Sequence, residues 1–95
     1  MAKLHLIDTN MLGFVCPGCG YEHAVTVNGR KNSQGASWQW NNSMDAPTFM
    51  PSILCNKDEP EWRCHSWVKN GTIQFLQDCW HNLKGQTVAI PEWVV

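Results

Sequence analysis

The sequence has little charge and almost no imbalance of charge. Seven lysine and arginine residues stand against eight aspartate and glutamate residues, which gives a formal net charge of -1. A protein that binds a length of duplex nucleic acid usually carries a clear excess of basic residues on one face. Here the basic residues are spread along the chain, and only Arg30 and Lys31 are adjacent. The composition therefore argues against duplex nucleic acid as a partner.

The chain also lacks long apolar runs. No run approaches the roughly 20 residues that a membrane-spanning helix needs. The first ten residues contain neither the continuous apolar region nor the small-residue cleavage site of a secretory signal. We therefore expect a cytoplasmic protein that has no membrane partner.

A helical hydrophobic period is missing as well, and turn signals recur at intervals of roughly eight to twelve residues. Short strands separated by such turns are typical of an all-β protein. The 95 residues have room for one domain, and a domain of this size buries a modest share of its surface. We therefore predict a single domain, 1–95, built from short antiparallel strands and hairpins in a compact sandwich-like arrangement, which an added cross-link would stabilise.

The clearest element is a hairpin around Asn70-Gly71, because this dipeptide favours a two-residue type I′ turn. Pairing Lys69 with Thr72 places Cys64 on the inward face and His65 on the outward face, since side chains alternate along a strand. Further strands are predicted over 4–7, 12–15, 21–27, 37–40 and 87–90. The two prolines of segment 46–52 predict an irregular stretch or an edge there.

Five cysteines, an odd number, favour metal ligands and free thiols over a disulfide framework in a reducing compartment. Cys16 and Cys19 form a Cys-x-x-Cys pair with intervening glycine, and two thiolates at this spacing bind one tetrahedral zinc ion. A redox pair would need a βαβ context, which the pattern does not contain. We therefore predict one structural zinc ion held partly by this pair, with strands on either side of the loop forming a zinc knuckle.

The remaining ligands are predicted from position. Cys64 points inward in the hairpin, and His81 follows the second strand where the chain must turn. The predicted set is therefore Cys16, Cys19, Cys64 and His81, with His65 and His23 as alternates. Asp78, across the hairpin, is a candidate to orient a histidine ring through a hydrogen bond, as carboxylates often do for metal-bound histidines.

No catalytic signature is present in the sequence. The chain has neither a His-Glu-x-x-His helix nor a deaminase-type zinc motif. A cysteine nucleophile, Cys79 with His65 or His81 and Asp78, is conceivable, but sequence proximity does not establish such a spatial arrangement. No catalytic residue is therefore predicted, and an enzyme is the less favoured of the two classes.

The order and spacing of motifs along nearly the whole chain resemble an uncharacterised family of small phage and prophage proteins, often mislabelled "ammonia monooxygenase". The resemblance rests on segments 14–23, 38–41, 46–54, 64–81 and 83–91. It implies a phage-encoded protein that acts in a bacterial cytoplasm, and the family pattern includes Cys16, Cys19, Cys64, His65 and His81. It implies no established reaction, cofactor chemistry or partner.

Together these patterns favour a small zinc-binding protein that acts as a non-enzymatic interaction module on a host or phage protein, with a possible anti-defence role. A small zinc-dependent hydrolase and a single-stranded nucleic-acid binder are the alternatives. The second alternative depends on the tryptophans, such as Trp38, Trp40 and Trp67, because bases stack on exposed indoles. Burial of the same rings in a small core explains them equally simply.

Overall fold

The computed structural model describes residues 2–93, which form eight strands and no helix, so no helix there is suited to crossing a membrane. Two antiparallel sheets result, with the strand orders β1-β2-β3 and β4-β5-β6-β7-β8. The predicted all-β class is confirmed. The strands are β1 (His5–Asp8), β2 (Met11–Val15), β3 (Glu22–Thr26), β4 (Gln39–Trp40), β5 (Phe49–Cys55), β6 (Cys64–Lys69), β7 (Thr72–Phe75) and β8 (Thr87–Ala89).

The Cys-x-x-Cys loop joins β2 to β3 in the first sheet. These strands pair antiparallel as far as Val15 and Glu22, directly beside the loop. The N–H of Gly20 donates to the carbonyl of Cys16 at 2.8 Å, and Gly20 has a φ of 81°. Glycine adopts this left-handed conformation without steric cost, so it closes the loop tightly. The predicted strands on either side of the loop are confirmed, and the loop with these two strands is called the knuckle below.

The predicted central hairpin is also confirmed. Asn70 has a φ of 50° and Gly71 a φ of 79°, and two successive positive values are what a type I′ turn requires. Cys64 is buried and His65 is partly exposed, so the predicted faces are correct as well. The register matches the prediction at Lys69 with Thr72, Val68 with Ile73, and Ser66 with Phe75.

The sequence predicts an irregular stretch or an edge for the proline-containing segment, and the structure fits only the first of these alternatives. The second half of the segment belongs to β5, which lies between β4 and β6, so the edge position predicted for it is wrong. The predicted irregularity is present as a bulge, because the register between β5 and β6 shifts between Phe49 and Ile53. A bulge leaves residues without a partner on the neighbouring strand. The absent N–H of Pro51 therefore removes no hydrogen bond to β6.

The core lies between the two sheets, and its side chains come from both. Each strand of a sheet contributes alternate residues to a buried face, so the apolar side chains of the two sheets meet. The buried set includes Leu12, Phe14 and Val25 from the first sheet, and Phe49, Ile53, Val68, Ile73 and Phe75 from the second.

The outer face of the β5-β6 pair is open to solvent and carries apolar side chains. Met50 is 55% exposed, and Trp67 and Leu54 are each 40% exposed. Ser52 and His65 project from this same face, because they alternate with the buried Ile53 and Ser66. The fold thus brings a serine and a histidine from neighbouring strands together on an accessible surface.

Candidate active site and metal centre

Three side chains on this outer face form a row of hydrogen bonds. The Ser52 hydroxyl lies 3.0 Å from Nε2 of His65. On the other side of the ring, Nδ1 of His65 lies 3.2 Å from Oδ2 of Asp78. Because the carboxylate accepts the Nδ1 proton, Nε2 is left with the lone pair that accepts the serine proton. The arrangement is that of a serine, histidine and aspartate triad.

The strand register explains how the three residues meet. His65 on β6 is paired with Leu54 on β5. Ser52 lies two residues before Leu54 on β5 and on the same face. Diagonal neighbours across antiparallel strands are within reach of a long side chain such as histidine. Asp78 follows β7 by three residues, where the chain leaves the hairpin and returns past β6.

Side chains from elsewhere in the fold hold the backbone of both reacting residues. The indole N–H of Trp38 donates to the carbonyl of Ser52 at 3.2 Å. The Cys79 sulfur accepts the N–H of His65 at 3.2 Å and donates to the carbonyl of the same residue at 3.1 Å. Burial raises the pKa of Cys79, which keeps the thiol protonated and able to donate.

The triad is accessible but not fully exposed. The side chain of His65 is 25% exposed and that of Asp78 is 42% exposed. A substrate carbonyl can therefore approach Ser52 from solvent, while the carboxylate interacts with the ring in a partly solvated setting. The histidine has the two hydrogen-bond partners that a general base needs, a nucleophile on one nitrogen and an orienting carboxylate on the other.

Sequence reasoning found part of this site and missed the rest. Asp78 is predicted to orient a metal-bound histidine, and its carboxylate does contact His65. The other ring nitrogen of His65, however, contacts the hydroxyl of Ser52 and not the cysteine cluster. The cysteine scheme is not formed, because the Cys79 sulfur contacts the backbone of His65. The hydrogen-bond contacts of the two His81 nitrogens are with Cys64 and Leu83. Ser52 was missed since it follows Pro51 in a segment predicted to be irregular, and no local motif marks it.

A second cluster lies behind the triad, on the buried side of β6. Cys16, Cys19, His23 and Cys64 each offer one ligand atom, and these atoms all lie within 4.8 Å of one another. Tetrahedral zinc with sulfur and nitrogen ligands has ligand separations of about 3.4–3.8 Å. The donor set and the spacing therefore suit a metal ion. The predicted ligands Cys16, Cys19 and Cys64 are together in this group.

His23 has the features of a ligand. It is 4% exposed, and its Nε2 atom is buried without a hydrogen-bond partner among the described residues. Its Nδ1 atom lies 3.3 Å from the sulfur of Cys55. A buried polar atom without a partner is costly, and a bound metal ion would satisfy it. The remaining ring nitrogen would keep its contact with Cys55, as the outer nitrogen of a metal-bound histidine usually has a partner.

Within the cluster, the pKa of Cys16 favours its thiolate form. A hydrogen bond from Cys64 lowers the pKa of Cys16 to about 3, in opposition to burial. The pKa of Cys64 is raised in turn, because it shares that proton with Cys16 and is itself buried. Burial disfavours a charge on His23, yet the neighbouring cysteine sulfurs raise its pKa to about 12. The thiolate is the form in which a cysteine binds a metal cation.

The other predicted histidines have different surroundings. His81 lies in a second group with Cys64 and Cys79, and its Nε2 atom is 3.7 Å from the Cys64 sulfur. Its Nδ1 atom accepts the N–H of Leu83 at 3.2 Å. A neutral ring whose Nδ1 accepts must carry its proton on Nε2, so that atom donates toward Cys64. His65, the other alternate, is in neither group among residues 2–93.

Comparison with known families gives a match. A family model described as "Bacterial ubiquitination-like system serine protease (BubE)" matches residues 2–76. The matched region contains Ser52 and His65, and Asp78 lies two residues beyond it. Comparison with curated proteins and with solved structures gives no match. Because the family model covers well over half of the chain, the chain belongs to the family of bacterial ubiquitination-like system serine proteases.

Proposed function

We propose that the protein is a serine peptidase of a bacterial ubiquitination-like system, with Ser52 as nucleophile, His65 as general base and Asp78 as the residue that orients His65. The observation that carries the proposal is the hydrogen-bonded row of these three side chains on an accessible face. The family description supports the same reaction class independently of the geometry.

The mechanism follows from the roles of the two ring nitrogens. His65 Nε2 takes the hydroxyl proton as Ser52 Oγ attacks a peptide carbonyl, and the ring then returns this proton to the leaving amine. A water molecule, deprotonated by the same nitrogen, releases the acyl group from Ser52. Asp78 keeps the proton on Nδ1 throughout and stabilises the positive ring that forms.

Ser52 is the serine that the geometry supports. Ser66 is closer to His65 in sequence, but it is 1% exposed and points into the core. Ser37 and Ser43 use their hydroxyls in contacts with backbone atoms. Within residues 2–93, the Ser52 hydroxyl has the contact with an imidazole nitrogen that activation requires.

The triad reverses the preference between a non-enzymatic binding module and an enzyme. A non-enzymatic module was favoured because no catalytic motif is visible along the chain, whereas the assembled triad favours an enzyme. The family description names a bacterial system, whereas the resemblance seen in the sequence implies a phage protein. A role of the tryptophans in binding single-stranded nucleic acid stays a prediction.

We propose in addition that the buried cluster binds one structural zinc ion through Cys16, Cys19, His23 and Cys64. The partnerless Nε2 of His23 supports His23 over His81 as the fourth ligand. Four protein ligands would leave no open position for water, and an open position is what a catalytic zinc requires. The predicted zinc-dependent hydrolase is therefore the less supported enzyme. The ion would cross-link the two sheets, and the triad would carry out the hydrolysis.

The nucleophile is tested by reaction with a fluorophosphonate, which forms a covalent bond with an activated serine. We expect one label per chain, located on Ser52 by peptide mass spectrometry. Ser52→Ala should lose the label, while the exposed Ser33→Ala should keep it. A labelled wild-type chain also allows the rate of labelling to be measured for other variants.

Labelling of another serine, or equal labelling of the wild type and Ser52→Ala, would refute the assignment. If the folded wild type shows no label at any concentration of the probe, Ser52 is not activated and the peptidase proposal fails. A thermal melt of Ser52→Ala close to that of the wild type excludes unfolding as the cause of a lost label.

The ligand set is tested by metal analysis and cobalt substitution. The wild type should contain one zinc ion per chain, and the cobalt form should show the visible spectrum of a tetrahedral site with three thiolates. His81→Ala should keep both properties. His23→Ala should lose the ion, and His23→Cys should retain it with a spectrum shifted toward four thiolates. Loss of the ion in His81→Ala, with retention in His23→Ala, would reverse the assignment.

A further inference from the structure

Two cavities lie on the outer face of the second sheet, one on each side of Trp67. The first has a volume of about 470 Å³ and the second of about 460 Å³. Met50 and Trp67 line both of them. These two side chains therefore form a shared apolar wall between neighbouring depressions, each of a size that accommodates amino-acid side chains.

This wall is next to the reacting groups. Trp67 is two residues from His65 along β6, and Met50 is two residues from Ser52 along β5. Residues two apart on a regular strand such as β6 share a face and are separated by about 6.6–6.8 Å. Met50 belongs to the same wall because it lines both cavities together with Trp67. A bound peptide in an extended conformation advances about 3.3 Å per residue. A peptide whose carbonyl reaches Ser52 thus places a side chain at the wall within two residues of the cleaved bond.

Apolar side chains contribute to the lining of both cavities, together with polar side chains such as Thr72 and Gln39. The second cavity is lined by Trp38 and Pro51 in addition to the shared wall. Among residues 2–93, Lys69 is the one charged residue that lines the first cavity, and none of the residues in this lining carries a carboxylate. An exposed tryptophan and an exposed methionine lose water-accessible apolar area when a substrate covers them, which favours binding.

We propose that Trp67, with Met50, determines specificity by binding a large apolar side chain of the peptide substrate within two residues of the cleaved bond. The inference rests on the proposed peptidase activity and adds the class of substrate residue. Trp67 contacts the substrate side chain and does not take part in proton transfer. Its role is in the selection of the substrate.

The test compares cleavage of a proteome-derived peptide library by the wild type and by variants. The wild type should select large apolar residues at one position within two residues of the cleaved bond. In Trp67→Ala, the ratio of kcat/KM for a large apolar residue over glycine at that position should fall about tenfold or more, since small changes in an apolar pocket have effects of this size. Trp67→Phe should retain most of the preference.

Trp62→Ala is the matched control, because Trp62 is 49% exposed and lines neither cavity. It should leave the ratio at the wild-type value. A ratio that is the same in Trp67→Ala and the wild type would overturn the proposal, as would a preference for charged residues at the same position. The ratio is independent of the overall activity, so a general loss of activity does not imitate the expected result.

A binding measurement separates failure of this inference from failure of the peptidase proposal. N-acetyl-phenylalanine amide, added to Ser52→Ala, should shift the indole N–H resonance of Trp67, which the Trp67→Phe variant identifies. N-acetyl-glycine amide should shift it much less. A selective shift without any cleavage by the wild type would refute the peptidase and keep the apolar site. Equal shifts with both compounds would refute the apolar site.

Discussion

The Asp78 carboxylate is the most exposed member of the triad, yet its position decides what His65 can do. Its oxygen accepts the Nδ1 proton of the ring, which directs the lone pair of Nε2 toward Ser52. The ring has no other side-chain partner of this kind among the described residues. The effect of this carboxylate is therefore on the tautomer and orientation of His65 more than on stability.

Asp78→Asn should slow the reaction of Ser52 with fluorophosphonate by about 100-fold or more, because an amide supports the wrong ring tautomer. The second-order rate constant of labelling is the quantity to measure. Asp58→Asn removes the same charge from the exposed loop between β5 and β6 and should label at the wild-type rate. A rate for Asp78→Asn within a few-fold of the wild type would show that the carboxylate does not orient the ring.

The knuckle between β2 and β3 packs against the segment that follows β7. A Cβ atom on Gly18 would overlap Cε1 of His81. That ring is held in place, since it is 6% exposed and packs edge-on against Phe75 with a centroid distance of 4.4 Å. The absence of a side chain at Gly18 therefore lets the two elements come into contact.

Gly18→Ala should destabilise the protein by about 1–3 kcal/mol through overpacking against the His81 ring. The same change in a His81→Ala background should cost much less, because the clashing ring is absent. A double-mutant cycle of chemical denaturation measures this coupling. Additive effects of the two changes would show that the contact between Gly18 and His81 does not constrain the knuckle.

At the scale of the whole molecule, the cysteine cluster joins the two sheets. Cys16, Cys19 and His23 come from the β2-β3 hairpin, and Cys64 begins β6 in the other sheet. Cys64 is also the residue before His65, so an ion at this position would hold the start of the strand that carries the general base. The same cluster thus connects folding to the geometry of the triad.

Removal of the ion with a strong chelator should lower the melting temperature by about 20 °C or more, because the binding energy of a structural zinc is coupled to folding. Labelling of Ser52 should be lost in parallel and return when zinc is added back. The control is the same chelator, saturated with zinc before it is added to the protein. A chelated protein that is free of metal by elemental analysis and melts at an unchanged temperature would refute a structural role.

The sequence by itself determined the elements whose signals are local. Asn70-Gly71 predicts its hairpin because two positive φ angles suit those residues, and the alternation from that turn places Cys64 inward. The Cys-x-x-Cys pair predicts the knuckle, since the spacing of two thiolates is a property of a few consecutive residues. These predictions need no knowledge of the rest of the fold.

Only the tertiary structure decided which distant residues meet. Ser52, His65 and Asp78 come from three segments, and Ser52 lies in the bulged part of β5, whose register with β6 no local pattern predicts. The short interval between Cys19 and His23 makes His23 an alternate ligand, but the approach of Cys64 from the other sheet is what brings all four residues together. Both sites depend on contacts between elements, and the packing of two sheets around one core determines those contacts.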